Sequence, residues 1–426
     1  MSVSPPTATR VSQTFASLRS YNYRLYWFGQ LISQAGTWMQ VVAQAWLVLQ
    51  LTHSPFALGT VSALQFLPVL CVTLFAGVIV DRLPKHRLLL ATQSVALAQA
   101  VALAVLTASG RIQLWEVYVL AALLGLVSAF DQPTRQSFVM ELVGRENIVN
   151  AVALNSAQFN AARLIGPAIG GVLIASFGVA ICFFVNAVSF LAVLASLLLL
   201  RAAEFRSVPS KRTGKRVLTE IGEGLRFLRS APDLMVVVIV VAGIGCFGYN
   251  FNTVIPLLAQ YSLHVGASGF GLLVTSVGIG SLVAALAVAT RGKASQRVFL
   301  TGAIGFGLSY LAVAFVPWFG AAMGLLAVLG FASLTFSSAA NSTLQLGSPD
   351  HLRGRVMSVF TLLVMGSTPI GALFTGWLAE TAGIQVTIAV EAGICLLFIA
   401  AALLYRSRRR TTARIDPASE GLTAAA

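Results

Sequence analysis

Long apolar runs, each broken by a short polar or Gly/Pro-containing interval, set the rhythm of this chain. A helix that crosses a bilayer needs about 20 mostly apolar residues. Twelve such runs are present, at 25–51, 56–80, 88–109, 114–140, 149–176, 179–200, 234–261, 267–290, 297–316, 319–345, 355–380 and 384–405. The intervals carry turn chemistry, as at His53-Ser54-Pro55, Ser109-Gly110, Phe177-Gly178 and Val316-Pro317. The pattern predicts an all-α integral membrane protein with twelve transmembrane helices and no cleavable signal peptide, because residues 1–24 are polar.

Composition agrees. Of 426 residues, 57% are hydrophobic and 10% charged, against about 25% charged in soluble domains. The net charge of +14 would suit a phosphate backbone, yet the basic residues lie in short gaps between apolar runs, so no nucleic-acid partner is expected. Their placement sets orientation instead. With the amino terminus inside, 25 of the 28 Lys and Arg fall on the cytoplasmic side. Both termini are therefore expected in the cytoplasm, in a multi-pass plasma (inner) membrane protein.

The four cysteines, Cys71, Cys182, Cys246 and Cys395, are isolated in separate runs, and the four histidines lie at turns. Neither set has metal-ligand spacing, so no metal and no cofactor are expected. A Gly-x-x-x-x-Gly-Lys phosphate loop is also missing, which argues against an enzyme or an ATP-driven pump.

The longest gap divides the chain. Residues 1–24 are expected to be a cytoplasmic tail, 25–200 a first six-helix half, 201–233 a cytoplasmic linker, 234–405 a second half and 406–426 a second tail. Within the linker, Leu218-Thr-Glu220-Ile-Gly-Glu223-Gly-Leu225-Arg-Phe227-Leu228-Arg229 has apolar residues at helical spacing and predicts an amphipathic helix on the membrane surface, with a solvated linker as the alternative. The halves repeat weakly at an offset of about 200–210 residues. Pro133 and Arg135 leading through Arg145 to Gly166-Pro167 correspond to Ser338 and Asn341 leading through Arg353-Gly-Arg355 to Gly366-Ser-Thr-Pro369. Pseudo-symmetric halves around a midplane site are a recurrent transporter plan.

Four segments carry a family resemblance. Gly77-Val-Ile-Val-Asp81-Arg82-Leu-Pro84-Lys85-His86-Arg87 resembles the signature turn between the second and third helices of major facilitator superfamily transporters. The resemblance implies a gating role for Gly77, Asp81, Arg82, Lys85 and Arg87, with the acid held at the positive end of a helix starting near Arg355. Pro84 and His86 depart from the usual pattern. The run Arg163-Leu-Ile-Gly166-Pro167-Ala-Ile-Gly170-Gly171 is similar to the antiporter signature of drug-exporting facilitators, with Ala153 and Ala162 in place of two upstream glycines. Gly166, Pro167, Gly170 and Gly171 would then serve close helix packing. Phe130-Asp131-Gln-Pro133-Thr-Arg135 and His351-Leu-Arg353-Gly354-Arg355 are similar to the enterobactin-exporter and macrolide-efflux group.

Ionisable groups inside a bilayer are costly, by about 3 kcal/mol or far more, and so invite a functional reading. Asp131, Arg135 and Arg163 lie within the fourth and fifth runs, and Glu391 within the last. Arg135, one turn after Asp131, can pair with it. The functional expectation is a charge pair between Asp131 and Arg163 that a proton or the cargo breaks, with Glu391 second to Asp131 as proton carrier; permanent pairing for packing is the alternative. The expectation predicts loss of pH-driven efflux in Asp131→Asn.

The first run is unusually polar, with Gln30, Ser33, Gln34, Thr37, Gln40 and Gln44 at three- and four-residue steps and Trp38 nearby. Such a stripe predicts a face on a water-filled cavity, or interhelical hydrogen bonds at about 0.6 kcal/mol each. Tyr249, Asn250 and Asn252 in the seventh run and Asn341 and Gln345 in the tenth extend the set. Amides and aromatics together suit an amphiphilic small molecule. The expected protein is thus a monomeric secondary exporter of a siderophore, drug or metabolite by proton antiport with alternating access. A proton-independent carrier or flippase for a lipid-like cargo, and a non-transporting sensor or scaffold, are the alternatives.

Overall fold

The computed structural model describes residues 15–144, 146–206, 217–291 and 295–415, without the side chains of 73–75, 77, 78, 81, 217–221, 289–291 and 409–415. Among the described residues there is no strand. The first six long helices are α1 (Tyr21–Thr52), α2 (Pro55–Arg82), α3 (Lys85–Ala108), α4 (Leu114–Val143), α5 (Ile148–Phe177) and α6 (Val179–Leu198). Then follow α7 (Val217–Ser230), α8 (Pro232–Gly243), α9 (Phe251–Leu257), α10 (Ala267–Arg291), α11 (Gln296–Val313), α12 (Phe319–Leu346), α13 (Asp350–Thr361), α14 (Thr368–Ala382) and α15 (Ile384–Ile415).

Local chemistry sets the ends. Gly144, Gly178 and Gly383 close α4, α5 and α14 at φ of 73°, 82° and 84°, a region that disfavours any side chain. Gln113 and Glu116 form a capping box at the start of α4, and Ser295 Oγ accepts the Val298 amide at the start of α11.

Among the described residues, nine helical stretches are long and apolar enough to cross a membrane, and a bent pair, Pro232–Gly248 with Phe251–Ser262, makes a tenth. Two further long helices fall short for visible reasons. The amides of α1 lower its apolarity, and α11 is 18 residues long with Gln296 and Arg297 at its head. The 234–261 run is one interrupted helix rather than a continuous one. It widens into π-turns at Ile244–Gly248 and Leu258–Ser262 and bends by 41°. A third π-turn, Leu362–Gly366, joins α13 to α14. The helix of the eleventh run begins at Asp350, so Arg355 lies inside its first turns and not at its start.

The chain divides into two compact units, residues 1–53, 67–212 and 266–275 in one and residues 54–66, 213–265 and 276–426 in the other. The division is not a single cut: the start of α2 belongs with the second unit and the start of α10 with the first.

In the first unit, Tyr26, Leu89, Phe138, Phe190, Val193 and Leu197 are buried together. Glycine lets α1 approach α6, since a Cβ on Gly36 would stand 2.5 Å from Asn186 Oδ1 and one on Gly29 2.8 Å from Ser196 Cβ. On α5, Gly166 lies against Ala35 and Trp38, Gly170 against Met39, and Gly171 against Ala267 and Gly271, where a Cβ would meet backbone at 2.9 Å. Pro167 is buried in the same stretch.

In the second unit, Phe299, Phe306, Tyr310 and Phe336 are almost fully buried. Gly245 brings the first π-turn against Leu363 in the third, and Gly371 of α14 lies on the Cys246 carbonyl. The linker helix α7 meets the helix of the eleventh run. Leu228 is buried, Glu223 pairs with Arg355, and Gly224 packs on the Arg355 backbone.

Candidate transport site

Three elements of the first unit, α1, α3 and α4, meet around Asp131, which is 6% exposed. Its Oδ1 accepts from Thr92 Oγ1 at 2.9 Å and from Gln93 Nε2 at 2.8 Å, both on α3. Its Oδ2 forms an ion pair with Arg135 Nε, one turn on along α4, and Arg135 reaches α1 by donating to Gln30 Oε1. The carboxylate thus has a cation and an amide donor as partners, while the Thr92 hydroxyl also lies 3.1 Å from the Leu89 carbonyl.

Arg163 does not join this cluster. Its guanidinium lies over the Trp38 ring, 5.8 Å from the centroid, and Trp38 in turn meets the Phe159 ring edge-on at 5.8 Å. The expected Asp131–Arg163 pair is therefore replaced by Asp131–Arg135, because an i,i+4 partner on the same helix reaches the acid first, while Arg163 gains a cation–π contact.

The polar stripe of α1 does not present one common face. Gln40 is 1% exposed and is held between α3 and α6, donating to Gln99 Oε1 at 3.0 Å and accepting from Asn186 Nδ2 at 2.6 Å. Thr37 donates to its own helix at Ser33 O. For Gln40, an interhelical network has taken the place of a cavity face. Gln34, Thr37 and Trp38 are half-buried. Gln30 is buried, with Nε2 unpartnered.

Of the basic turn, Arg82 and Arg87 are exposed, and Lys85 lies 3.7 Å from Glu141 at the end of α4. The side chain of Asp81, and Gly77 beyond its helical backbone, lie outside the described residues. His86 contacts the Leu197 carbonyl at 2.8 Å and packs on Phe138 and Phe205.

The second unit holds a different kind of acid. Glu391 on α15 is 0% exposed. Its Oε2 accepts from Tyr310 Oη of α11 at 2.5 Å, and its Oε1 contacts Thr375 Oγ1 of α14. Asn250, at the bend between α8 and α9, lies against the same carboxyl. Among the described residues no Lys, Arg or His is paired with it.

Close by, Tyr249 is half-buried among Phe251, Phe306 and Phe336, and Asn252 is half-buried. Asn341 is half-buried and accepts from Gln345, which is exposed. Thr92, Gln93, Gln99, Asn186, Tyr310 and Thr375 were not among the candidates expected from sequence. The first four are polar residues within apolar runs, a signal available in the sequence; Tyr310 and Thr375 have none beyond their residue type.

Comparison with known proteins gives the same direction. Residues 12–423 match the family model described as transmembrane secretion effector. The multidrug efflux pump Tap of Mycolicibacterium fortuitum is 30% identical over 89% of this chain and 95% of its own length. The staphyloferrin A transporter of Staphylococcus aureus is 26% identical over 91% and 96%. The enterobactin exporter EntS of Salmonella choleraesuis is 24% identical over 84% and 85%. Among solved structures, a bacterial homologue of the lysosomal transporter Spinster, inward-facing and unoccupied, superposes with a TM-score of 0.71 at 14% identity, over 93% of this chain and 98% of that one. A POT family transporter in complex with a thioalcohol-conjugated peptide gives 0.74 at 12% identity, over 93% and 99%. These two likenesses concern fold alone.

Proposed function

We propose that this chain, which belongs to the transmembrane secretion effector family of the major facilitator superfamily, exports a small amphiphilic organic molecule by proton antiport. It is a multi-pass membrane protein whose relatives are transporters rather than enzymes. In the proposed form it is a monomer of the plasma (inner) membrane with both termini in the cytoplasm, as the distribution of basic residues favours. The polar α1 and the short α11 join the nine single helices and the bent pair to make twelve spans in two six-helix halves. Alternating access moves a cargo (siderophore, drug or metabolite) across the membrane.

The observation that carries the coupling is the burial of acids inside spans, Asp131 in one unit and Glu391 in the other, where only a working role or a permanent partner offsets their cost. Arg135 and Arg163 complete the charge set around the first acid. Cargo contacts are assigned to Gln30, Gln34, Thr37 and Trp38 of α1 and to Tyr249, Asn252, Asn341 and Gln345 of the second unit; Gln40 serves instead to fix α1. The turn bearing Gly77, Asp81, Arg82, Lys85 and Arg87 is assigned to gating.

The test is movement of ethidium and of enterobactin in proteoliposomes under an imposed pH gradient. Transport that accelerates with the gradient and collapses with a protonophore is expected. Transport of either probe that is indifferent to the gradient makes the protein a proton-independent carrier or flippase.

A further inference from the structure

Two hydroxyls, one amide and, among the described residues, no cation surround Glu391. Tyr310 has one hydroxyl hydrogen and gives it to Oε2 at 2.5 Å. Thr375 also has one, yet its Oγ1 sits 2.8 Å from the Gly371 carbonyl and in short contact with Glu391 Oε1. One hydrogen cannot serve both contacts. Asn250 donates through Nδ2 to the Cys246 carbonyl at 2.9 Å, which leaves its Oδ1, in a residue 3% exposed, with no donor at all. An unmet acceptor at such depth costs about 1–3 kcal/mol. Three oxygen-to-oxygen contacts are thus served by two hydroxyl hydrogens, and a proton on the carboxyl supplies the third.

The other groups near Glu391 do not neutralise it. On its own helix stands Cys395, whose Sγ points to the Gly243 carbonyl of α8. From the π-turn comes Cys246, from α11 Tyr310, and from α14 Thr375. None is basic. A buried carboxylate without a cation costs several kcal/mol, whereas Asp131 in the first unit has Arg135.

We infer that Glu391 is an exchangeable-proton site, and that Asn250 links its protonation to the bend between α8 and α9. This inference rests on the proton-antiport reading and assigns the proton to one atom pair within it. With the acid protonated, its hydrogen goes to Thr375 Oγ1, and Asn250 Nδ2 stays on the Cys246 carbonyl within the π-turn. When the proton leaves to water, the carboxylate needs donors in its place. Tyr310 and Thr375 supply two, and the second N–H of Asn250 Nδ2 supplies a third while the first stays on the Cys246 carbonyl. Asn250 thereby ties the carboxyl to a carbonyl of the π-turn, and π-turns within helices are frequent at functional sites. The site therefore couples a proton at Glu391 to the backbone of the interrupted helix. Asn250 acts here as a positioning residue.

Infrared difference spectroscopy of the full-length protein in lipid nanodiscs tests this without any cargo. Wild type is expected to keep a protonated-carboxyl C=O band at a pH where exposed carboxyls are ionised, and to lose it as pH rises further. Glu391→Gln, whose amide can donate and accept in the same places, should lack that band. Glu391→Asp keeps an acid at the position and should retain it, and Asn250→Leu should move its titration midpoint. A band that survives unchanged in Glu391→Gln, or is absent from wild type, overturns the assignment. Gradient-driven ethidium and enterobactin transport by wild type in liposomes keeps the two claims apart. No gradient response with the band lost in Glu391→Gln leaves the proton site standing and rejects antiport. A gradient response with the band intact in Glu391→Gln rejects the site.

Discussion

Asp131 and Glu391 are both buried acids in membrane helices, and their surroundings are opposite. Asp131 has an arginine one turn away, a threonine, a glutamine and, through Arg135, a hold on α1. Glu391 has hydroxyls and an amide that lacks a donor. A carboxylate with a cation beside it is held by that partner, and breaking the pair is costly. A carboxyl among neutral groups can gain or lose a proton with a small rearrangement of its neighbours. The first environment locks helices together, whereas the second is suited to a group that changes state.

The largest effect separates the two by stability. Asp131→Asn leaves the half-buried Arg135 without its anion, and breaking a buried pair costs about 3–5 kcal/mol. Thermal unfolding in detergent should show this as a large fall in Tm. Asp131→Asn combined with Arg135→Gln should recover most of it, since removing both charges is often close to neutral. Equal Tm values for the single and double variants would break the contrast.

A smaller effect reads the charge of Glu391 directly. Hydrogen bonds between neutral groups contribute about 0.5–1.5 kcal/mol and those to charged groups about 1.5–3. Tyr310→Phe should therefore destabilise by the lower figure if Glu391 is protonated in the resting protein. A loss in the upper range would mean an ionised carboxylate. The smallest effect concerns a third acid, Glu380, whose Oε2 accepts from Ser54 Oγ and from the Phe56 amide at the start of α2. It answers the unsatisfied amides and the positive end of that helix, so Glu380→Gln should cost about 0.3–1 kcal/mol of stability, seen as a small fall in Tm, and leave any gradient response of transport intact.

Much of the helical pattern was legible because apolar runs and turn residues signal it directly. Less was legible where phase or partner mattered. Steps of three and four residues along α1 cover two adjoining faces, so nothing in the stripe told Gln40, which turns inward to Gln99 and Asn186, from Gln34 or Trp38, which stay half-exposed. Asp131 could be read with Arg135 or with Arg163 as partner; only the crossing of α1 and α5, allowed by Gly166, places Trp38 under the second arginine. The π-turn at Ile244–Gly248 left no trace beyond its glycines, since the run stays apolar through it. Glu391 stood out as an acid in an apolar run, but its ranking depended on the absence of a cation from three neighbouring helices, which only packing reveals.

The most direct test compares the two acids in one assay, with the pH-gradient stimulation of ethidium and enterobactin efflux measured for Glu391→Gln and for the Asp131→Asn/Arg135→Gln double variant in identical proteoliposomes. The expected result is a flat response to the gradient in Glu391→Gln and a surviving response, at whatever absolute rate, in the double variant. A gradient response that survives in Glu391→Gln and vanishes in the double variant would contradict the account and return the proton to Asp131.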